Sequence, residues 1–122
     1  MDIQITATQH GTIGIAAPKD RIDAVNSRAL RRHFDLALKK TNQFIFDCRK
    51  LDFLDSTGLG ALVSCLNKAN SAQGELCLFG INPKVKIIFE LTQADKLFPI
   101  FTDMESALSS FANRKTSEEL SQ

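Results

Sequence analysis

Apolar and polar residues alternate with period two over Ile3-Gln4-Ile5-Thr6-Ala7-Thr8, the pattern of a strand with one face buried. His10-Gly11 supplies a turn, Thr12 to Ala17 reads as the partner strand and Pro18 ends it, so the chain opens with a β-hairpin. The period then changes to that of a helix. Leu30, Phe34, Ala37 and Leu38 fall at i, i+4, i+7 and i+8, one buried stripe. Asp23 is the expected cap of that helix, with Asn26 and Ser27 as weaker candidates. Arg28, Arg31, Arg32 and Asp35 fall mostly on its solvated side, and His33 borders the stripe, where packing is its default role.

Gln43 to Cys48, with Phe at alternate positions, reads as a short apolar strand followed by a loop through Arg49-Lys50. Helical spacing resumes from about Thr57 to Ala69, where Leu59, Leu62, Val63 and Leu66 form the expected core stripe. Gly58, Ala61, Ser64, Cys65 and Lys68 lie off it. Ser71 to Gly74 breaks this helix, and Glu75 to Phe79 is another strand, closed by Gly80. Asn82-Pro83 is a helix start, since Asn caps and Pro suits the first helical position. Val85, Ile88, Phe89 and Thr92 give the third stripe, and Leu97 to Phe101 a short last strand. Asp103 is placed to cap a final helix from Met104 to Phe111 with Leu108 and Phe111 inward; residues 113–122 form a polar tail expected to fray.

Strands alternating with helices behind a hairpin predict an α/β domain over residues 1–112. It should have a mixed four- to five-stranded sheet, about four helices and right-handed crossovers. The length of 122 residues suits one domain with one core. Hydrophobic residues at 43% and charged residues at 24% fit a globular protein. Nine Phe without Trp or Tyr favour core packing over an aromatic recognition surface. A formal net charge of +1 leaves no broad basic field for nucleic acid or anionic lipid. No apolar run approaches the ~18 residues that span a bilayer, and Met1-Asp2-Ile3-Gln4 is not the start of a secretory signal. Cys48, Cys65 and Cys77, odd in number and widely spaced, read as buried thiols of a reducing cytosol. With only His10 and His33 to add nitrogen, no zinc site is expected.

The most informative stretch is Leu54-Asp55-Ser56-Thr57-Gly58-Leu59-Gly60. It joins an apolar run to a helical one, which places Ser56 at a strand-to-helix junction where backbone N–H groups lack intrahelical partners. The plain reading of Ser56 is a helix cap, worth about 1 kcal/mol. Three details favour function. Position 59 is Leu, so the reciprocal capping-box partner is absent. Gly58 and Gly60 each cost up to ~1 kcal/mol in a helix, and glycines there would let another backbone or a kinase cleft come close. Asp55 sets a carboxylate beside the hydroxyl. A nucleophilic hydrolase is the sharp alternative, but it needs a base and an elbow such as G-x-S-x-G. Leu54 stands where that elbow needs Gly. No nucleotide-binding loop motif is present either.

Asp55-Ser56-Thr57-Gly58-Leu59-Gly60 resembles the D-S-[ST]-G-[LI]-G signature of STAS domains, specifically the bacterial anti-sigma factor antagonists. Ile22-Asp23-Ala24-Val25-Asn26 resembles the segment that starts the family's first helix. Phe46-Asp47 with Leu51-Asp52-Phe53-Leu54 looks like its strand and loop leading into the signature. Asn82-Pro83-Lys84-Val85 through Phe101 is similar to its third helix and last strand. The resemblance implies a STAS fold and a non-enzymatic, cytoplasmic, monomeric protein without a cofactor, bound to neither nucleic acid nor membrane. In its unphosphorylated form such a protein binds a serine kinase that doubles as an anti-sigma factor, and so releases a sigma factor. The kinase uses ATP to phosphorylate the serine after the Asp, which maps to Ser56, and a phosphatase reverses this. By the same resemblance Asp23 and Asp55 lie beside Ser56 on the partner-binding surface, with Thr57, Gly58 and Leu59 in or framing it. The alternative within the family is a non-switching scaffold subunit of a stressosome or a lipid-transport assembly. The Arg-rich first helix (Arg28, Arg31, Arg32) maps to no family role and reads as a solvated face, with partner selection as its second reading.

Overall fold

The computed structural model of the chain describes residues 2–111; the expected tail over 113–122 lies outside the described residues. The elements run β1 (Ile3–Thr8), β2 (Gly11–Ala16), β3 (Asp20–Ile22), α1 (Ser27–Ala37), β4 (Gln43–Asp47), β5 (Leu51–Leu54), α2 (Ser56–Ser71), β6 (Glu75–Phe79), α3 (Pro83–Leu91), a 3-10 turn (Ala94–Lys96) and β7 (Ile100–Phe101). A fourth helix, α4, covers residues 104–111. Five strands form a mixed sheet in the order β1-β2-β4-β6-β7. The opening hairpin is antiparallel, with Thr8 opposite Gly11, and the other pairs are parallel. Each parallel pair needs a crossover, and α1, α2 and α3 supply them in turn.

Successive residues of a strand point to opposite faces, and here both faces are covered. Phe44, Phe46, Leu76 and Leu78 meet α1, α2 and α3 in the main core. Ile45, Cys77 and Phe79 face the other way, onto Ala107 and Phe111 of α4. This is why the central strands read as continuous apolar runs. β1, at one sheet edge, stays largely exposed, so its alternation marks a weaker burial than expected. All three cysteines are buried and unpaired, and burial pushes their thiols up to about 12. They are therefore protonated and inert at neutral pH.

Several expectations need correction. Leu51–Leu54 is not a loop: it pairs in parallel with β3 as a separate two-stranded ribbon. Asp23 does not cap α1 directly. Its Oδ1 accepts the N–H groups of Val25 (3.0 Å) and Asn26 (3.4 Å), while Asn26 Oδ1 accepts the Asp23 N–H at 2.9 Å. This reciprocal pair closes the turn before the helix, and Asn26 takes the cap position without a side-chain bond to it. The last strand shrinks to two residues because the chain from Ala94 first turns, with Leu97 and Phe98 N–H donating to Ala94 O, and Pro99 has no N–H for a ladder. Thr92 leaves the third stripe: it follows α3 exposed, its hydroxyl donating to Ile88 O at 2.7 Å.

Candidate functional site

The β3–β5 ribbon builds the site. Its register sets Ile22 opposite Leu54, so the next residues of each strand, Asp23 and Asp55, leave the ribbon side by side. The Asp55 N–H donates to Ile22 O at 3.3 Å. Asp55 is extended, and its Oδ1 accepts the Gly58 N–H at 2.8 Å, which makes it the N-cap of α2. The cap is thus Asp55 and not Ser56, and α2 begins one residue earlier than the spacing predicts. Ser56, the first helical residue, is exposed, and its hydroxyl makes no hydrogen bond to another described residue. Thr57 is exposed beside it.

Gly58 is buried, and a Cβ on it would overlap the Ile22 carbonyl oxygen. Its bareness therefore serves a contact inside the chain rather than an incoming kinase. Because Gly58 must face inward, the buried face of α2 is Gly58, Ala61, Leu62, Cys65, Leu66 and Ala69. A face of small residues lets the helix settle close to β3 and the sheet. Leu59 and Val63, expected in the core stripe, are turned to its border and half-exposed. With Leu54 and Ile88 they form the floor of a groove of about 420 Å³ between α2 and α3, with Ser56 and Gly60 on its rim. Gly60 is exposed, and a Cβ there would meet only an Arg31 nitrogen at 3.9 Å. Val25, in the turn after Asp23, is 91% exposed, and Leu91 at the end of α3 is 80% exposed. Apolar side chains left in water around one polar spot mark a surface fit for contact.

The charges here are mostly acidic and partly engaged. Asp23 is 16% exposed, with the Arg21 guanidinium 3.8 Å from its Oδ2. Arg21 in turn lies over the Phe53 ring at 5.3 Å. Neither histidine reaches Ser56. His10 sits in the hairpin turn near Gln43 and Gly74, where β4 and β6 begin. His33 lies near Asp2, their atoms 3.9 Å apart. An activated serine nucleophile needs a base within hydrogen-bond reach, and Ser56 has no imidazole beside it. Among the described residues no cluster of metal-ligating side chains occurs, and no helix is long and apolar enough to cross a membrane.

The structure brings Asp23, Asp55, Ser56 and Thr57 together, sets Leu59 in the groove and buries Gly58 beneath them. Leucine spacing alone does not reveal the groove. Its signal is the spacing of Gly58, Ala61, Cys65 and Ala69, a small-residue stripe that competes with the leucine stripe for the inward face.

The sequence profile of the STAS domain family matches residues 4–107. The anti-sigma F factor antagonist of Paenibacillus polymyxa is 26% identical over 110 residues, covering 88% of this chain and 94% of that protein. An anti-sigma-factor antagonist (STAS) domain protein of Planctomyces limnophilus has a similar structure, with a TM-score of 0.76 at 20% identity over 92% of this chain and 99% of that one. The phosphorylated form of the Bacillus cell fate determinant SpoIIAA gives a TM-score of 0.61 at 17% identity, over 85% of this chain and 95% of that one.

Proposed function

The chain belongs to the STAS domain family, and from that premise we propose that it is an anti-sigma factor antagonist switched by phosphorylation of Ser56. Unmodified, it binds a serine kinase that doubles as an anti-sigma factor, and a sigma factor is released. In the kinase, Ser56 Oγ attacks the γ-phosphorus of ATP. The bond to the β–γ bridging oxygen breaks, ADP leaves and the hydroxyl proton passes to a base of the kinase. A phosphatase returns the chain to its binding form. The protein is itself no enzyme and needs no cofactor. It acts as a cytoplasmic monomer, where its buried thiols stay reduced.

The observation that carries this reading is an exposed hydroxyl relieved of capping duty by Asp55 and set on the rim of an apolar groove. Leu59 and Val63 offer the groove to the partner, while Asp23, Asp55 and Thr57 surround the acceptor. Phosphate adds about −1.5 to −2 charges at pH 7. In the free chain the positive end of α2 tolerates that charge. Within a complex it would face Asp23, Asp55 and a desolvated partner, and an uncompensated buried charge costs roughly 3–5 kcal/mol. That corresponds to about a hundredfold to a few thousandfold in affinity. Local charge therefore suffices, without a change of fold. The relative SpoIIAA, known in a phosphorylated form, shares the fold on which this switch would operate.

The test is incubation with the cognate kinase and ATP, with phosphosite mapping of the product. A single phosphate on Ser56 is expected. Label on Thr57, or none, would contradict the assignment.

A further inference from the structure

We propose that Arg31 is the intramolecular partner of the modified side chain: when Ser56 carries phosphate, the Arg31 guanidinium crosses the bare backbone of Gly60 and pairs with it. This rests on the reading of Ser56 as the modified residue. Arg31 lies on α1, which packs against α2, and is half-buried between them. One of its guanidinium nitrogens stands 3.9 Å from the point a Gly60 Cβ would occupy, and apart from the chain neighbours and backbone of α2 itself no other described atom comes that near. Gly60 is four residues beyond Ser56, hence on the same side of α2 and one turn, about 5.4 Å, along it. The two helices run in the same direction, since each crosses between parallel strands of one sheet. Long side chains lean toward the N-terminus of their helix, so Arg31 leans toward the turn that holds Ser56.

Among the described residues Arg31 makes no hydrogen bond or ion pair. Arg21 pairs with Asp23 and Arg49 with Asp47. The carboxylate one turn along from Arg31 is Asp35, and Lys68 holds it at 2.6 Å. Around Ser56, α2 contributes Asp55 and the β3 side contributes Asp23 with its Arg21. From α3, Ile88 and Thr92 line the groove, neither of them charged. Beyond what the helix start supplies, a phosphate in this acidic setting is favoured by a nearby cation, and the planar fork of an arginine matches phosphate oxygens better than a lysine would. Gly60 gains a reason: glycine is unfavourable inside a helix and no close backbone contact requires it here, and a bulky side chain there would stand between the guanidinium and the phosphate.

The experiment uses the full chain with phosphoserine introduced at position 56 during translation, so that it does not depend on any kinase. The second phosphate ionisation is monitored by phosphorus NMR against pH. In the otherwise native chain it should lie below its ordinary value of about 6. Arg31→Ala should raise it by about half a unit or more. Gly60→Leu, which keeps every charge but blocks the crossing, should raise it in the same direction. Arg28→Ala and Arg32→Ala, which remove a charge elsewhere on α1, should leave it in place. A native titration in Arg31→Ala or in Gly60→Leu would overturn the pairing, as would an equal rise in Arg28→Ala or Arg32→Ala. Failure of a kinase to label Ser56 would remove the proposed function and leave this titration intact; an unmoved titration would remove the pairing and leave the labelling intact.

Discussion

α2 and α3 both start behind an Asx residue in extended conformation, Asp55 at φ −93°, ψ −174° and Asn82 at φ −79°, ψ 164°. In each, the side-chain oxygen accepts the N–H three residues on, from Gly58 at 2.8 Å and from Val85 at 3.0 Å. Beyond that bond the two starts diverge. At α3, Pro83 has no N–H to satisfy, and the Asn82 amide also donates to Leu51 O at 2.8 Å and to Asp52 Oδ1 at 3.1 Å. That start is closed and binds the helix to β5. At α2, the cap is complete at Asp55, and the two residues behind it, Ser56 and Thr57, are exposed hydroxyls. Leu59 and Val63 then border a groove instead of the core. Capping alone does not distinguish a structural junction from a functional one, and neither does exposure, since Pro83 and Lys84 are exposed too; what differs is that Asn82 is tied to β5, while hydroxyls beside an apolar groove follow Asp55.

The comparison breaks most readily at Gly58. Gly58→Ala forces a methyl into the Ile22 carbonyl and should cost about 1–3 kcal/mol in urea unfolding, by prising α2 from β3. Gly60→Ala, two residues on, would meet only an Arg31 nitrogen at ordinary contact distance and should instead raise stability by up to about 1 kcal/mol. Opposite signs at neighbouring glycines would confirm that one is bare for the fold and the other is not. Next in size, Asn82→Ala removes a cap and two further bonds at the closed start and should lose about 1–2 kcal/mol. Ser56→Ala at the open start should stay within about 0.5 kcal/mol of the native chain. Equal losses at the two positions would make Ser56 a structural residue.

Much of this architecture is legible in the residues. Glu75–Phe79 forms a strand over the span its apolar run predicts. Asn82 and Asp103 both cap as their positions predict, the latter accepting the Ser106 N–H at 2.8 Å, a bond that holds its carboxyl below the ordinary 3.8. The β3–β5 ribbon is not legible, because strands of three and four residues are too short to carry a period. The rotation of α2 is hidden for a different reason. Ranking positions by hydrophobicity favours Leu59 and Val63, whereas the close approach of Gly58 to Ile22 turns Gly58 inward and, on the same face, Ala61 and Cys65. Arg31 cannot be placed from spacing either: the pattern assigns it to a solvated face, and only the packing of α1 on α2 sets it beside Gly60.

The most direct measurement is calorimetric titration of the anti-sigma kinase into the native chain and into Ser56→Asp, with the melting temperature of each recorded alongside. Ser56→Asp is predicted to bind about a hundredfold more weakly or worse while melting close to the native chain. Equal affinity, or a variant that has lost its fold, would contradict a switch built on one exposed hydroxyl.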